Sequence, residues 1–269
     1  YPTRLLQTLM SLAPKKCDSS IPTVVLLTPG HLNSAYYEHT FLSDQMGIEM
    51  VEASDLYVEN DLVYMKTVDG PKKVDVIYRR IDDDYIDPLF YNPNSVIGVP
   101  GIIHAYRTGG VNICSAPGCG IADDKAIYIY VPEMIKFYLG EMPILENVET
   151  WRCEKDDELK FVLENIKNLV VKEVDGSGGY GMLIGPKSTK KTIEQFSLKL
   201  KNNPKGYIAQ PTLDLSSSPT LIDNEITGRR VDLRPYCLIG KQAQLCPGGL
   251  TRVALNKGCL LYTSPSPRD

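Results

Sequence analysis

The stretch LVVKEVDGSGGYGMLIGP, residues 169–186, carries four glycines within six positions and has Lys172 four positions ahead of the first of them. Its glycines satisfy the pattern G-x-G-x-x-G, which binds dinucleotides when a strand precedes it and a helix follows. The apolar run LVVKEV predicts the strand, but MLIGP is strand-like and ends at a proline. The dinucleotide interpretation therefore fails, and a Walker A loop fails too, because Pro186 stands where that motif needs a glycine before its lysine.

A glycine-rich turn between two antiparallel strands remains. Such a turn exposes backbone N–H groups and can fold over a triphosphate as a flap. Period-two alternation places Lys172 on the face of Val170, opposite Leu169 and Val171. A lysine on an otherwise apolar strand must reach an anion or water. We favour the phosphate interpretation, and the alternative is a glycine hairpin whose lysine reaches solvent.

The composition limits the classes of function. The chain has 269 residues, a net charge of −4, 43% hydrophobic and 23% charged residues, which is typical of a soluble globular protein. The acidic balance gives no indication of nucleic-acid or membrane-surface partners, and no apolar run has the ~20 residues of a membrane helix. Seven scattered cysteines predict reduced thiols in a cytoplasmic protein, and three histidines form no metal-binding pattern.

The order of predicted elements divides the chain. Residues 1–19 predict a helix and a linker, and strands alternating with helices over residues 20–118 predict an open α/β domain. Within it, we expect a helix capped by Asn33 or Ser34 and a single strand over VDVIYRRI, residues 74–81. Residues 119–258 predict helices followed by antiparallel strands. The helices are expected over DDKAIYIYVPEMIKFYLG, over the amphipathic segment DDELKFVLENIKN, and in a segment capped by Ser188.

Charged residues cluster at two further places. In YRRIDDDYIDP, the charged side chains follow a buried strand at its carboxyl end, where open α/β sheets bind ligands. The substrate-binding candidates there are Arg79, Arg80, Asp82 and Asp83. A solvated charged turn is the alternative for each of them.

The segment GRRVDLRPY places Arg230, Asp232 and Arg234 on one face of a strand, and Arg252 follows a Gly-Gly turn. These side chains suit either a surface ion-pair ladder or a phosphate clamp that stabilises charge in a transition state.

Taken together, these segments strongly resemble the circularly permuted, type 2 ATP-grasp proteins of bacteria, which are distantly similar to glutathionylspermidine synthetase. The resemblance covers residues 22–255. Its motifs occur in the order TVVLLTPG, YYEHTFL, VDVIYRRIDDDYIDP, ADDKA, LVVKEVDGSGGYGMLIGP, YIAQ, RRVDLRPY and PGGLTRVAL. It implies an α/β plus α+β fold, in which an open, pre-ATP-grasp-like α/β domain precedes a partial ATP-grasp domain.

The resemblance also implies a nucleotide site with ATP and Mg²⁺ as cofactors. It places Lys125 and Lys172 on the phosphates, Gln210 near the adenine, and Arg234 near the γ-phosphate or an acyl phosphate. The loop that it places over the β and γ phosphates consists of Gly176, Ser177, Gly178, Gly179, Tyr180 and Gly181. The metal ligands of the family have no clear equivalent in residues 1–258; Asp232 is the one candidate.

The implied activity is ATP-dependent formation of an amide or peptide bond between a small or peptidic carboxylate and an amine, through an acyl phosphate. The rival hypothesis is an ATP-binding module without ligase activity. Residues 259–269, CLLYTSPSPRD, match the translation of a sequencing-library adapter or form a disordered tail. We therefore expect an internal fragment of a larger protein, inactive by itself because it lacks metal ligands. The sequence leaves the oligomeric state open.

Overall fold

The computed structural model describes residues 1–176, 181–222 and 224–254. The chain divides into two compact units. Among the described residues, the first comprises Tyr1–Cys119 with Leu233–Leu250, and the second comprises residues 120–232 with residues 251–254. The domain boundary expected near residue 118 from the sequence stays a prediction.

The first unit contains four helices and seven strands before residue 120. The helices are α1 (Pro2–Ser11), α2 (Tyr36–Met46), α3 (Asp83–Ile86) and α4 (Ile102–Arg107). The strands are β1 (Val24–Leu27), β2 (Glu49–Val51), β3 (Leu56–Glu59), β4 (Leu62–Thr67), β5 (Gly70–Val74), β6 (Val76–Arg79) and β7 (Asn112–Cys114).

A parallel sheet forms the centre of this unit. Its strand order is β2-β1-β6-β7, and every residue of β1 is buried. The continuous apolar sequence of β1 explains this position, because strands of parallel sheets are covered on both faces. Val25 and Leu27 pack into one core cluster, whereas Val24 and Leu26 pack into another that includes Leu5 of α1. Strands β3, β4 and β5 form a separate antiparallel meander.

A buried aspartate, which the sequence analysis did not single out, holds the start of α4. Asp87 is 1% exposed. Its carboxylate accepts hydrogen bonds from the backbone N–H groups of Leu89 (2.9 Å), Gly101 (3.1 Å) and Ile103 (3.0 Å). The carboxylate thereby satisfies donors that a helix N-terminus leaves without intrahelical partners.

The second unit has an antiparallel sheet covered by helices. The helices of this part of the chain are α5 (Val131–Leu139), α6 (Asp156–Asn165) and α7 (Lys190–Asn202). The remaining strands are β8 (Trp151–Arg152), β9 (Leu169–Glu173), β10 (Leu183–Ile184), β11 (Tyr207–Pro211), β12 (Ser217–Ile222), β13 (Glu225–Ile239) and β14 (Ala243–Val253). One sheet has the order β10-β9-β11-β8, and another has the order β12-β13-β14. Strands β13 and β14 each contain residues of both units.

The predicted amphipathic helix over DDELKFVLENIKN is confirmed as α6. Val162 and Ile166 are buried in the core cluster of the second unit, and Leu159 and Leu163 pack against it. Helix α5 is shorter than its sequence predicted, because residues 127–130 form a 3-10 turn and Pro132 lies in the first turn of the α-helix. Proline suits that position, since its missing N–H would have no partner there.

Both predicted helix caps are wrong by one or two positions. Helix α2 begins after Ala35, which has no capping side chain, and the Asn33 side chain accepts from the Ala35 N–H at 2.9 Å instead. Helix α7 is capped by Thr189, whose side chain accepts from the Thr192 N–H, while the Ser188 hydroxyl donates to the carbonyl oxygen of Ile184. Adjacent hydroxyl and amide residues compete for such caps, and local backbone geometry decides between them.

The single strand predicted over residues 74–81 is also corrected. Strand β5 ends at Val74 and β6 begins at Val76. Between them, Asp75 is buried and accepts a hydrogen bond from the Thr23 N–H at 3.0 Å. No helix in the part of the chain that the structure describes combines the length and the apolar character needed to span a membrane.

Candidate functional site

The glycine-rich stretch joins two antiparallel strands, as its sequence predicts. Strands β9 and β10 pair with Val171 opposite Leu183 and Val170 opposite Ile184. A 3-10 turn, Gly185–Lys187, follows β10. Four residues of the predicted loop, Ser177, Gly178, Gly179 and Tyr180, lie outside the described residues. Within the described residues, β9 is followed by strand β10 where a dinucleotide-binding turn needs a helix, so they do not fit that motif.

Lys172 lies on the face of β9 that alternation predicts. Leu169 and Val171 point into the core cluster of the second unit, and Lys172 points to the opposite side. There its Nζ donates a hydrogen bond of 2.7 Å to Oε1 of Gln210, on the neighbouring strand β11. The half-buried lysine therefore has a fixed direction at the end of β9, directly before the glycine-rich stretch.

Lys125 reaches the same place from a different part of the chain. Its backbone N–H donates to the carbonyl oxygen of Val174 at 3.0 Å, and its Nζ lies 3.4 Å from that oxygen. The same Nζ also donates to the carbonyl oxygen of Gly176. Both contacts hold Lys125 where the chain leaves β9 and enters the glycine-rich stretch.

The two lysines are close enough to affect one another. Burial and, after it, the positive charge of Lys125 lower the pKa of Lys172 from 10.5 to about 8. Two neighbouring ammonium groups repel each other, and an anion bound between them removes that cost. This arrangement favours a ligand with several negative charges, such as a phosphate chain.

A side-chain relay fixes the orientation of Gln210. Its Nε2 donates to Oγ1 of Thr150 at 2.9 Å, and the Thr150 hydroxyl donates to the carbonyl oxygen of Val148 at 2.8 Å. The amide therefore presents its oxygen to Lys172. Thr150 was missed by the sequence analysis, and no local pattern signals it, because it lies 60 residues from Gln210 in the chain.

A carboxylate lies beneath the far end of the glycine-rich stretch. Gly181 has φ +65, and a Cβ placed on it would lie 2.2 Å from the carboxylate carbon of Glu173. The Tyr207 hydroxyl donates to Oε1 of Glu173 at 3.2 Å. Burial, and then the Glu173 charge, raise the pKa of Tyr207. The backbone conformation at 181 thus favours glycine, and a side chain there would also displace the Glu173 carboxylate.

The two arginines proposed as catalytic residues are assigned to different compact units. Arg252 and Asp232 belong to the second unit and form an ion pair in which Nε of Arg252 lies 2.9 Å from Oδ2 of Asp232. Arg234 belongs to the first unit and is exposed. Arg230 forms an ion pair with Asp214. Neither catalytic assignment is tested by these positions, and both stay predictions.

The described residues provide no ready metal site. Over residues 1–176, 181–222 and 224–254, no three histidine, cysteine, aspartate or glutamate side chains gather as metal ligands would. Asp232, the one residue considered for this role, has Arg252 as an ion-pair partner. We assign no step to a magnesium ligand of this chain.

The substrate-binding candidates of the first unit differ in their surroundings. Arg79 is largely enclosed, donates to the carbonyl oxygens of Ser115 (2.6 Å) and Ile81 (2.7 Å), and pairs with Asp83 at 2.7 Å. Asp83 also accepts from the N–H of Gly118 at 3.1 Å. These contacts are internal to the unit and hold its loops together. Arg80 makes no such set of contacts, and Asp82 is exposed.

Known proteins resemble this chain over most of its length. A family model described as circularly permuted ATP-grasp type 2 matches residues 1–254. An uncharacterized protein of Synechocystis sp. is 51% identical over 265 residues, which are 98% of this chain and 55% of that protein. A Frankia casuarinae protein, provisionally named glutamate–cysteine ligase 2-2, is 38% identical over 256 residues, 94% of this chain and 29% of that protein.

A glutathione synthetase-like effector from Globodera pallida is a solved structure with similarity to this one. It aligns with a TM-score of 0.47 and 10% identity over 87% of this chain and 53% of that chain. The chain spans about half the length of the Synechocystis relative.

Proposed function

Because this chain belongs to the circularly permuted type 2 ATP-grasp family, we propose that it carries the ATP site of a ligase that joins a carboxylate to an amine through an acyl phosphate. The substrates of such a ligase are a small-molecule or peptidic carboxylate and an amine, and the product is an amide or peptide bond. The provisional name of the Frankia relative, a glutamate–cysteine ligase, describes a bond of this class and supports the proposal.

The proposal depends on one observation: Lys125 contacts the backbone at Val174 and Gly176, and it lies close enough to Lys172, on the adjoining strand β9, to lower the pKa of that lysine. A nucleotide triphosphate bound there gains two charge-assisted contacts and relieves the repulsion between the lysines. Glycine at 176 and 181 keeps side chains away from this approach. Gln210 and Thr150 hold Lys172 in position before the nucleotide arrives.

In the proposed reaction, the substrate carboxylate attacks the γ-phosphorus of ATP and releases ADP, which gives an acyl phosphate. The amine then attacks the acyl carbon and displaces inorganic phosphate, so that a C–N bond forms and the amine loses a proton. Lys125 and Lys172 stabilise the negative charge of the phosphate oxygens during the first step. Arg234 and Arg252 are further candidates for this role.

Magnesium belongs to this proposal as an inference from the family. When bound, it would neutralise charge on the β and γ phosphates. No step above depends on a metal ligand of this chain, since the described carboxylates do not gather into a site.

Trapping with hydroxylamine tests the proposal. An acyl phosphate reacts with hydroxylamine to give a hydroxamate, so the full-length protein is incubated with ATP, magnesium and single carboxylic acids from a broad panel. Hydroxamate that depends on both ATP and one acid supports a ligase. Saturable ATP binding without hydroxamate for any acid supports the alternative, an ATP-binding module, and absence of ATP binding contradicts both.

A further inference from the structure

The parallel sheet of the first unit changes its direction of winding between β1 and β6. After β1 the chain passes to β2 on one side, and after β6 it passes to β7 on the other side. Ligands of open α/β sheets bind at the carboxyl ends of the strands at such a switch point. Thr28 and Arg80 are the residues directly after β1 and β6.

These two residues are neighbours on one face of the sheet. Leu27 pairs with Arg79 in the parallel register, and the Arg80 N–H donates to the carbonyl oxygen of Leu27 at 2.8 Å. By alternation, Thr28 and Arg80 lie on the same face as Leu26 and Tyr78, the face where α2 packs. The guanidinium carbon of Arg80 lies 6.0 Å from the centre of the Tyr78 ring.

A buried histidine of α2 lies against this edge. His39 is 1% exposed, and its Nδ1 lies 2.9 Å from Oγ1 of Thr28, which also accepts from the Gly30 N–H at 3.2 Å. Burial, followed by the charge of Arg80, lowers the pKa of His39 to about 4, so the ring is neutral at neutral pH. Thr28 Oγ1 and His39 Nδ1 share this hydrogen bond, and in the tautomer in which Nδ1 accepts it the ring carries its proton on Nε2, where it is a donor.

Arg80 keeps unused hydrogen-bonding capacity. Its Nε is buried without a hydrogen-bond partner among the described residues, and none of the ion pairs found within those residues includes Arg80. The adjacent Arg79 is in contrast occupied by two carbonyl oxygens and by Asp83. A buried donor without a partner is costly, and a bound anion removes that cost.

We propose that Arg80 and His39 bind the carboxylate of a small molecule at the carboxyl edge of the parallel sheet. The planar guanidinium matches a carboxylate with two parallel N–H groups. One positive charge together with one neutral imidazole donor suits a single carboxylate better than a phosphate dianion. Next to the site, Tyr78 lines a cavity of about 520 Å³ together with Leu5, Leu9 and Asn112, which offers room for the rest of the ligand.

This site extends beyond the proposed function, because it lies wholly in the first unit and uses no residue of the glycine-rich stretch. Its test needs no nucleotide, so its failure leaves the ATP proposal untouched. The chain has three histidines, which makes selective labelling with ¹⁵N-histidine informative. The probes are acetate, L-glutamate and inorganic phosphate, with chloride at matched ionic strength as the reference.

We expect acetate or L-glutamate to shift the Nε2 resonance of His39 in a saturable manner, while His31 and His104 stay unchanged. Arg80→Gln should weaken this binding by about tenfold or more, the loss of hydrogen bonds to a charged group. Arg80→Lys keeps the charge but loses the planar pair of donors, so it should be intermediate. Arg107→Gln is the control, because Arg107 is an exposed arginine of α4.

Three results overturn the proposal. The first is absence of a saturable His39 shift in the wild-type chain with either carboxylate. The second is stronger binding of phosphate than of both carboxylates. The third is equal binding in the wild type and in Arg80→Lys and Arg80→Gln, with folding verified by circular dichroism. Should Arg80→Gln fail to fold, the wild-type titration and Arg80→Lys decide the outcome.

Discussion

Lys172 of β9 donates a hydrogen bond of 2.7 Å to the side-chain amide of Gln210, on the antiparallel strand β11. Gln210 is in turn held by Thr150 at 2.9 Å. The cation that we propose for the phosphates is therefore already positioned when no nucleotide is bound. Such preorganisation reduces the entropy that a ligand must remove when it binds.

Lys172→Met removes the charge and keeps the apolar stem. If Lys172 contacts a phosphate, the variant should lose ~1.5–3 kcal/mol of ATP binding free energy, the scale of a hydrogen bond to a charged group. Isothermal titration calorimetry with ATP measures this. Lys160→Met, at an exposed position of α6, is the matched control and should bind as the wild type does. Equal affinity in both variants would contradict the assignment.

The lowered pKa of Lys172 predicts a pH dependence of ATP binding. Phosphates bind the protonated ammonium, so affinity should fall as the pH rises through about 8. The Lys172→Met variant should lack this component. In Lys125→Met, the decline should move to higher pH, because the second cause of the shift is removed while burial remains. ATP titrations over this pH range measure it, and an unchanged profile in Lys172→Met contradicts it.

Without nucleotide, the lowered pKa of Lys172 makes folding stability rise with pH, whereas ATP affinity falls with pH. Between about 8 and 10.5 the unfolded chain keeps the proton on Lys172 while the folded chain loses it. Stability rises with pH wherever the unfolded state binds more protons. Between about pH 8 and 10.5, the free energy of unfolding of the wild type should therefore increase relative to that of Lys172→Met. Urea unfolding at several pH values measures that difference.

The sequence predicts local features of this site better than remote ones. Alternation along LVVKEV places Lys172 on the correct face, and the strand-like MLIGP, which ends at Pro186, correctly predicts that no helix follows the glycines directly. The pairing of Lys172 with Gln210 depends on the register of β9 against β11, which brings together residues 38 positions apart. Single-sequence periodicity contains no information on that register.

In the first unit, too, the sequence predicts local features but not contacts between residues far apart in the chain. The sequence predicts an open α/β sheet correctly and places charged residues at the end of β6. It does not distinguish Arg79, which is used internally, from Arg80, which keeps an unused donor. The sequence analysis finds no metal-binding pattern at His39, and the contact of this histidine with Thr28 follows only from the packing of α2 on the sheet. Asp87 was missed because its backbone donors at Gly101 and Ile103 come from a later segment.

Thr150→Val tests the relay behind Lys172. Valine keeps the shape but leaves the Gln210 amide without its acceptor, so the amide can rotate and release Lys172. We expect ATP binding to weaken by ~0.5–1.5 kcal/mol, the net value of one hydrogen bond, and the pH midpoint of binding to move. Thr150→Ser restores the hydroxyl and should recover both. Failure of serine to rescue, or an unmoved pH midpoint in Thr150→Val, contradicts a positioning role.

Asp87→Ala should destabilise the first unit. It removes the acceptor of three backbone N–H groups in a buried place, which costs about 2–3 kcal/mol in the free energy of unfolding. Chemical denaturation measures the loss, and Asp84→Ala, at an exposed position, should stay close to the wild type. A loss no larger than that of Asp84→Ala would show that the cap does not stabilise α4.

Gly181→Ala should disturb the far end of the glycine-rich stretch. Gly181 has φ +65, and its added methyl group would collide with the Glu173 carboxylate at 2.2 Å. Displacing Glu173 breaks its hydrogen bond with Tyr207. Gly140 has φ +68 with open space around it, so Gly140→Ala pays only the backbone cost of roughly 1–2 kcal/mol. We expect Gly181→Ala to lose more stability than Gly140→Ala and to weaken ATP binding, which Gly140→Ala leaves unchanged.

The double variant Gly181→Ala with Glu173→Ala separates collision from backbone strain. Removing the carboxylate opens the space that the new methyl group needs, so the excess destabilisation over Gly140→Ala should disappear. Measured against Glu173→Ala, which alone loses the hydrogen bond with Tyr207, the loss caused by Gly181→Ala should equal the loss that Gly140→Ala causes in the wild type. Denaturant unfolding of the wild type, the three single variants (Gly140→Ala, Gly181→Ala and Glu173→Ala) and the double variant measures these differences. If Gly181→Ala is as destabilising in the Glu173→Ala background as in the wild type, the Glu173 carboxylate is not what disfavours alanine at this position.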